Sequence, residues 1–145
     1  MADNLDALEP FIGTWTVEAV FPGDMSGTGT CTFEWMDGKR FLVQRTSVPD
    51  PAPDSLAIIG PDEATGAYRQ HYFDTRGVAR VYAMTFDGNL WELTRTEADF
   101  SPLDFSQRFT GTVADGGDTI IGAWQTSDDG VDWKHDFDLT YRRTT

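Results

Sequence analysis

Tight-turn sequences recur at short intervals along the chain, and they limit its fold more than any other feature. The turn sequences are Pro22-Gly23-Asp24, Asp37-Gly38, Asp62 to Gly66, Thr75-Arg76-Gly77, Asp87-Gly88-Asn89, Asp115-Gly116-Gly117-Asp118 and Asp128-Asp129-Gly130. Asp-Gly and Gly-Gly steps supply the positive φ angles that β-hairpins require. The segments between the turns are rich in β-branched and aromatic residues and often alternate apolar with polar side chains, which is typical of strands.

This pattern predicts about ten strands in a meander. The predicted strands are Gly13–Phe21, Thr28–Met36, Arg40–Ser47, Leu56–Gly60, Tyr68–Asp74, Val78–Phe86, Leu90–Thr96, Phe105–Val113, Thr119–Thr126 and Trp133–Arg142. Antiparallel strands joined by hairpins either expose two sheet edges or close on themselves. Closure at this strand count leaves an interior that is too wide for side chains to fill. We therefore predict an all-β fold, an antiparallel up-and-down β-barrel around a cavity, with a flattened two-sheet sandwich as the alternative.

Few other elements are predicted. A short helical turn over Leu5–Glu9, capped by Asn4 or Asp3, is expected to act as a lid or plug at one end of the barrel. The longest irregular connections, Pro49–Pro53 and Ala98–Asp104, are candidate portal loops. The length of 145 residues fits a single domain over residues 1–145.

Composition limits the classes of partner. A net charge of −13 disfavours nucleic acid and anionic membranes. The single cysteine, Cys31, excludes an internal disulfide. No signal peptide or membrane-spanning run is evident, so a cytoplasmic protein is the default expectation. The expected partner is a small apolar molecule, because five Trp and ten Phe suggest a wide interior lined with rings; a homodimer is left open.

Strand alternation predicts which side chains point inwards. On the last strand Trp133, His135, Phe137, Leu139 and Tyr141 share one face, which places His135 among rings. Arg45 shares parity with Phe41 and Val43 and is a candidate inward cation. The register of strand 68–74 stays ambiguous: either His71 and Phe73 face the cavity, or Tyr68, Gln70 and Tyr72 do. An inward arginine requires a partner or an acidic ligand, because an isolated buried charge is costly.

The candidate ligand-binding residues carry aromatic or polar side chains, and the inward position of His71 depends on the first of these two registers. They are His135, His71, Arg45, Trp35, Tyr82, Trp124 and Phe137. For His135 the alternative is a core histidine hydrogen-bonded to a neighbour such as Tyr141. The sequence contains no metal-ligand spacing, phosphate-binding loop or nucleophile elbow, so no catalytic residue is assigned.

The triplet Gly13-Thr14-Trp15, together with an arginine near the chain end, resembles the calycin superfamily of lipocalins and fatty-acid-binding barrels. This resemblance implies that Trp15 closes one end of the barrel against a basic side chain of the last strand. Arg142 and Arg143 are the candidates, and Arg142 is taken as the barrel-closing partner.

Two further resemblances cover nearly the whole chain. The stretches Thr32-Phe33-Glu34-Trp35, Arg40 to Arg45, His71-Tyr72-Phe73-Asp74 and Gln107 to Thr112 resemble a bacterial lipocalin-like family of unknown function. Gly13-Thr14-Trp15 after Pro10-Phe11-Ile12, the Phe33–Arg45 hairpin and His135 resemble nitrobindin, a haem-binding ten-stranded barrel. The second resemblance implies His135 as the axial ligand of a haem; otherwise no cofactor or metal is expected. His135 stands here without the second histidine of the nitrobindin pattern, and Val17 and Ala19 replace its glycines.

Three hypotheses about function therefore remain. The first is a binding module for a hydrophobic or amphipathic small molecule. The second is an enzyme, such as a cofactor-free isomerase, cyclase or hydratase, that uses the cavity with one histidine and one arginine. The third is a barrel used only for association, which predicts a packed interior.

Overall fold

The computed structural model describes residues 4–23, 25–49 and 53–144, and it is a closed antiparallel barrel of ten strands. The strands are β1 (Gly13–Phe21), β2 (Met25–Trp35), β3 (Leu42–Ser47), β4 (Ser55–Asp62), β5 (Ala67–Asp74), β6 (Ala79–Phe86), β7 (Leu90–Arg95), β8 (Ser106–Ala114), β9 (Thr119–Ser127) and β10 (Lys134–Arg143). Each strand pairs with the next along the chain, and β1 also pairs with β10, so the sheet has no free edge. The predicted up-and-down barrel is confirmed, and the sandwich alternative is wrong.

A 3₁₀ helix at Asn4–Phe11 plugs one end of the barrel. Leu8 and Phe11 are buried completely or nearly so. The Phe11 ring centroid lies 4.6 Å from that of Phe86 and 4.9 Å from that of Trp91. The predicted cap residue Asp3 lies outside the described residues. No helix in the described ranges is long and apolar enough to span a membrane.

Trp15 and Arg143 attach this helical plug to the barrel. The Trp15 indole Nε1 donates a hydrogen bond of 2.9 Å to the carbonyl oxygen of Phe11. The Arg143 guanidinium carbon lies 4.2 Å from the Trp15 ring centroid, and its nitrogens donate to the carbonyl oxygens of Pro10 and Ile12. The choice of Arg142 as the barrel-closing partner is wrong, because alternation along β10 places Arg143, not Arg142, on the same face as the buried Tyr141.

The two neighbouring arginines provide a matched stability test. We expect Arg143→Ala to lower the free energy of unfolding by about 2–3 kcal/mol, because it removes charged hydrogen bonds and a cation–π contact. Among the described residues Arg142 makes an exposed ion pair with Glu18, at 3.2 Å, so Arg142→Ala is expected to cost less than about 1 kcal/mol. Urea unfolding of both variants measures the difference. Equal losses would contradict this account of the plug.

Candidate ligand-binding cavity

The barrel encloses a cavity of about 1090 Å³ that opens at the end opposite the helical plug. This volume lies just above the usual range for small-molecule pockets, roughly 300–1000 Å³. Residues at the open ends of the strands form its mouth, including Ala19 and Phe21 on β1, Met25 on β2 and Ser55 on β4. The expected unfilled interior is therefore present, and the packed interior of the third hypothesis is not.

Aromatic rings form the floor of the cavity, nearest the plug. The Trp91 ring centroid lies 4.9 Å from that of Phe109 and 5.6 Å from that of Tyr141. The Phe109 ring in turn lies 5.3 Å from Trp124. Gly122 permits this arrangement, because a Cβ atom at that position would lie 2.5 Å from Cζ of Phe109. The floor is therefore an apolar surface held rigid by ring-to-ring packing.

A chain of buried polar side chains crosses the cavity wall. Gln70 Nε2 donates to Gln44 Oε1 at 3.3 Å, and Gln44 Nε2 lies 3.4 Å from the Tyr141 hydroxyl and 3.5 Å from Cys31 Sγ. Burial raises the pKa of Cys31 to about 11, and it also raises the pKa of Tyr141. Both groups are therefore protonated at neutral pH, which agrees with Cys31 as a buried apolar residue and not a nucleophile.

One buried polar atom has no partner among the described residues. It is the Trp91 indole Nε1, which lies among the rings of the floor. An unpartnered indole N–H inside a protein costs stability.

A second polar cluster lies closer to the mouth, on β6 and β8. Gln107 Oε1 accepts hydrogen bonds from the Tyr82 hydroxyl at 2.9 Å and from Arg80 Nη1 at 3.1 Å. The Arg80 guanidinium carbon also lies 5.8 Å from the ring centroid of Phe105. Burial raises the pKa of Tyr82, so its hydroxyl is a donor at neutral pH. This cluster places a cation, Arg80, in the cavity wall.

A third group, at the end of β5, is occupied by its own contacts. The Asp74 carboxylate accepts hydrogen bonds from the Tyr72 hydroxyl at 2.9 Å and from Arg76 Nη2 at 2.7 Å. Burial favours the protonated carboxyl, but Arg76, Tyr72 and the Arg76 backbone N–H outweigh it and lower the pKa of Asp74 to about 2. Asp74 therefore stabilises the turn that follows β5, as expected for a carboxylate preceding Thr75-Arg76-Gly77.

An ion pair fixes one of the predicted portal loops. Arg95 and Asp99 form two hydrogen bonds of 2.9 and 2.8 Å, and their side chains are only 3% and 10% exposed. Arg95 also donates to the carbonyl oxygens of Ser101 and Pro102. Asp104, at the end of this loop, lines the mouth. In the other predicted portal loop, Pro49 lines the mouth, and residues 50–52 lie outside the described ranges.

Of the candidate ligand-binding residues, the structure places three in the cavity wall. They are Tyr82, Trp124 and Phe137. Trp35 lies instead at the closed end, where its indole Nε1 donates to Glu9 Oε1 at 3.1 Å. On β5 the second of the two predicted registers is correct, since Tyr68 and Gln70 are buried and Tyr72 lines the cavity.

The predicted inward position of His135 is wrong, and the candidates His71 and Arg45 also lie outside the cavity. A β-bulge between His135 and Phe137 shifts the register of β10 against β9, so these two residues lie on opposite faces. The His135 side chain is 49% exposed, with Nε2 3.5 Å from Asp138. His71 alternates with the inward Gln70 and Tyr72 and therefore faces outwards. Arg45 is likewise exposed and pairs with Glu34 at 2.8 Å.

The polar cavity residues that were missed as candidates include four members of the two hydrogen-bonded clusters described above. They are Gln44, Gln70, Arg80 and Gln107. Each lies at an inward position of its strand beside buried residues. The sequence signal for these residues was therefore a polar side chain at a position that alternation assigns to the apolar face. Arg80 lies on the same strand face as Tyr82, so it was the easiest of the four to predict from the sequence.

Comparisons with known proteins agree on the fold only. No protein-family model and no curated protein matches the chain. Rv2717c from M. tuberculosis is similar in structure, with a TM-score of 0.67 and 15% sequence identity over 100% of this chain and 99% of that chain. A protein of unknown function of the DUF3598 family from Nostoc punctiforme PCC 73102 has a TM-score of 0.59 and 11% identity, over 94% of this chain and 49% of that chain. Identities this low show a shared barrel and carry no activity.

Proposed function

We propose that this protein binds a small hydrophobic or amphipathic molecule inside its barrel, in the manner of a calycin. The observation that supports this proposal is the combination of an unfilled volume of about 1090 Å³ with a ring-lined floor. A cavity that is mostly apolar with a few fixed polar groups is the usual form of a small-molecule site.

The recognition follows from the position of each group. Burial of the ligand's apolar part against Trp91, Phe109 and Trp124 supplies affinity, at about 25 cal/mol per Å² of apolar surface removed from water. The polar clusters around Gln44 and Gln107 are already hydrogen-bonded, so they fix the orientation of a ligand with little cost of ordering. Phe21 and Phe137, whose ring centroids lie 4.8 Å apart at the mouth, give the entrance an apolar surface.

The positions of the histidines do not fit the hypothesis of a haem bound in the barrel through an axial histidine. The sequence contains two histidines, and both lie on the outer face of the barrel. His135, which the nitrobindin resemblance implied as the axial ligand, is half-exposed and faces away from the cavity. The same placement removes the histidine that an isomerase or cyclase mechanism was expected to use.

Titration with N-phenyl-1-naphthylamine, an uncharged probe that fluoresces in apolar surroundings, tests the proposal. We expect saturable binding of about one equivalent per chain. We also expect the probe to be displaced by dodecanol, which shares no aromatic group with it and competes only for apolar volume. Fluorescence that rises without saturation, or that dodecanol leaves unchanged, would contradict an internal binding site.

A further inference from the structure

Arg80 carries the one positive charge of the described cavity wall that no carboxylate neutralises. Two arginines line the cavity, Arg76 and Arg80. Arg76 is paired with Asp74 at 2.7 Å. Arg80 is half-buried, and its contacts within the described ranges are Oε1 of the Gln107 side chain, at 3.1 Å, the Tyr82 hydroxyl and the ring of Phe105.

The cluster around Arg80 presents donors to the cavity and uses up its acceptor. Gln107 Oε1 already accepts from both Arg80 and Tyr82. The Gln107 amide nitrogen, with two N–H donors, has no acceptor among the described residues. Four of the five guanidinium N–H groups of Arg80 are also left unused by the Gln107 contact. A half-buried charge with unused donors on both sides is suited to an anion, and a carboxylate satisfies a guanidinium with two parallel hydrogen bonds.

The position of Arg80 on β6 determines how such a ligand lies. Arg80 is the second residue of β6, near the mouth, whereas Phe86 at the other end of the strand packs against the plug. Tyr82 and Met84 follow on the inner face between them. An anionic group at Arg80 therefore directs the rest of the molecule towards the aromatic floor.

We propose that the ligand carries a carboxylate or a similarly compact anionic head group, which Arg80 and Gln107 bind near the mouth while its apolar part extends to the floor. This inference rests on the proposed function and names the chemical class of the ligand. The inference about the head group is distinct from the proposed function, because a barrel that binds only neutral molecules would satisfy the proposed function and not this inference.

Acidic residues at the mouth favour a cationic head group instead of an anionic one. Asp104, Asp128 and Asp136 line the same entrance and would attract a cationic group. Asp104 and Asp128 are exposed, so salt screens their charges over roughly 8–10 Å. Arg80 and Asp136 are both half-buried, where screening is weaker; of the two, Arg80 has the Gln107 donors beside it, and we expect its charge to decide which head group binds. The acidic rim slows the entry of an anion, so entry is expected to become faster at higher salt.

The test is displacement of N-phenyl-1-naphthylamine by three molecules with the same alkyl chain: dodecanoate, dodecanol and dodecyltrimethylammonium. We expect dodecanoate to displace the probe from the natural protein at a concentration about tenfold lower than dodecanol. In Arg80→Gln this preference is expected to fall to about twofold or less, and in Arg80→Lys to be intermediate, because lysine keeps the charge but not the bidentate geometry. The preference is the ratio of the two displacing concentrations in the same variant, so any change in the affinity for the probe cancels from it. Arg108→Gln, on the outer face, is the control and is expected to keep the full preference.

Three results would overturn the inference while leaving the proposed function in place. The first is equal displacement by dodecanoate and dodecanol in the natural protein, which does not depend on any variant folding. The second is strongest displacement by dodecyltrimethylammonium, which would make the acidic rim the head-group site. The third is a preference for dodecanoate that persists in Arg80→Gln, which would exclude Arg80 as its cause. Absence of probe binding in the natural protein would instead refute both proposals.

Discussion

Replacing Asp99 with asparagine is expected to lower the free energy of unfolding at pH 7 by about 3–5 kcal/mol, because it leaves the Arg95 guanidinium buried without its counter-charge. Both side chains of this pair are almost fully buried. Asp99 Oδ2 also accepts a hydrogen bond of 2.7 Å from the backbone N–H of Val81 on β6. The substitution therefore weakens the attachment of the portal loop to two strands, and chemical unfolding measures the loss.

The pH dependence of stability provides a second test of the Arg95–Asp99 ion pair. The hydrogen bonds from Arg95 hold the pKa of Asp99 well below its usual value, against the opposing effect of burial, and the backbone N–H groups of Val81 and Ser101 lower it further. A depressed pKa in the folded state means that the stabilisation is complete above the unfolded pKa, about 3.9, and is lost as the pH falls towards the folded pKa. The difference between the natural protein and Asp99→Asn is therefore expected to shrink below about pH 4.

Glu34→Gln is the matched control for this substitution. It breaks the ion pair between Glu34 and Arg45, whose side chains are 64% and 58% exposed. An exposed pair contributes about 0–1 kcal/mol. A loss for Asp99→Asn as small as that for Glu34→Gln would show that the loop is not held by the buried pair.

Replacing Ala57 with tryptophan is expected to reduce the affinity for N-phenyl-1-naphthylamine by at least about tenfold, or 1.4 kcal/mol. Ala57 is only 3% exposed and lies on the inner face of β4, opposite Gln44 and Tyr72. An indole in place of its methyl group occupies volume that the ligand would use. Because the cavity is unfilled, the added side chain is expected to be accommodated with a change in stability below the 1–3 kcal/mol typical of overpacked cores.

Ala83→Trp is the control for Ala57→Trp, because it adds the same side chain to the exposed outer face of β6. We expect its probe affinity to stay within about twofold of the natural protein. Equal affinities for the two variants would show that the probe binds elsewhere on the molecule.

The barrel could be predicted because hairpin turns and strand alternation are both local signals. The boundaries of β1 agree at both ends, and those of the other strands agree within three residues. The plug was also predictable, since Leu5, Leu8 and Phe11 recur at helical spacing and all are buried. Each of these features depends on residues that are close in the chain.

The inner surface was predicted less well, for two physical reasons. A single bulge in β10 reverses the face of every residue before it, and nothing local in the sequence marked the bulge between His135 and Phe137. The inner face of a barrel with a cavity also carries polar residues. Alternation of apolar residues is therefore an unreliable way to predict which strand positions face the interior. On β3 this led to Arg45, whereas the inward residues are Leu42, Gln44 and Thr46.

The indole N–H signals of the five tryptophans give the most direct test of binding inside the barrel. They are resolved in a ¹H–¹⁵N correlation spectrum and assigned with single Trp→Phe variants. Trp91 and Trp124 line the cavity, whereas Trp133 lies on the outer face, with Arg108 4.3 Å from its ring centroid. On titration with N-phenyl-1-naphthylamine, we expect saturable shifts of the Trp124 and Trp91 signals and an unchanged Trp133 signal. Shifts confined to Trp133, or an unchanged Trp124 signal at saturation, would contradict a ligand site inside the barrel.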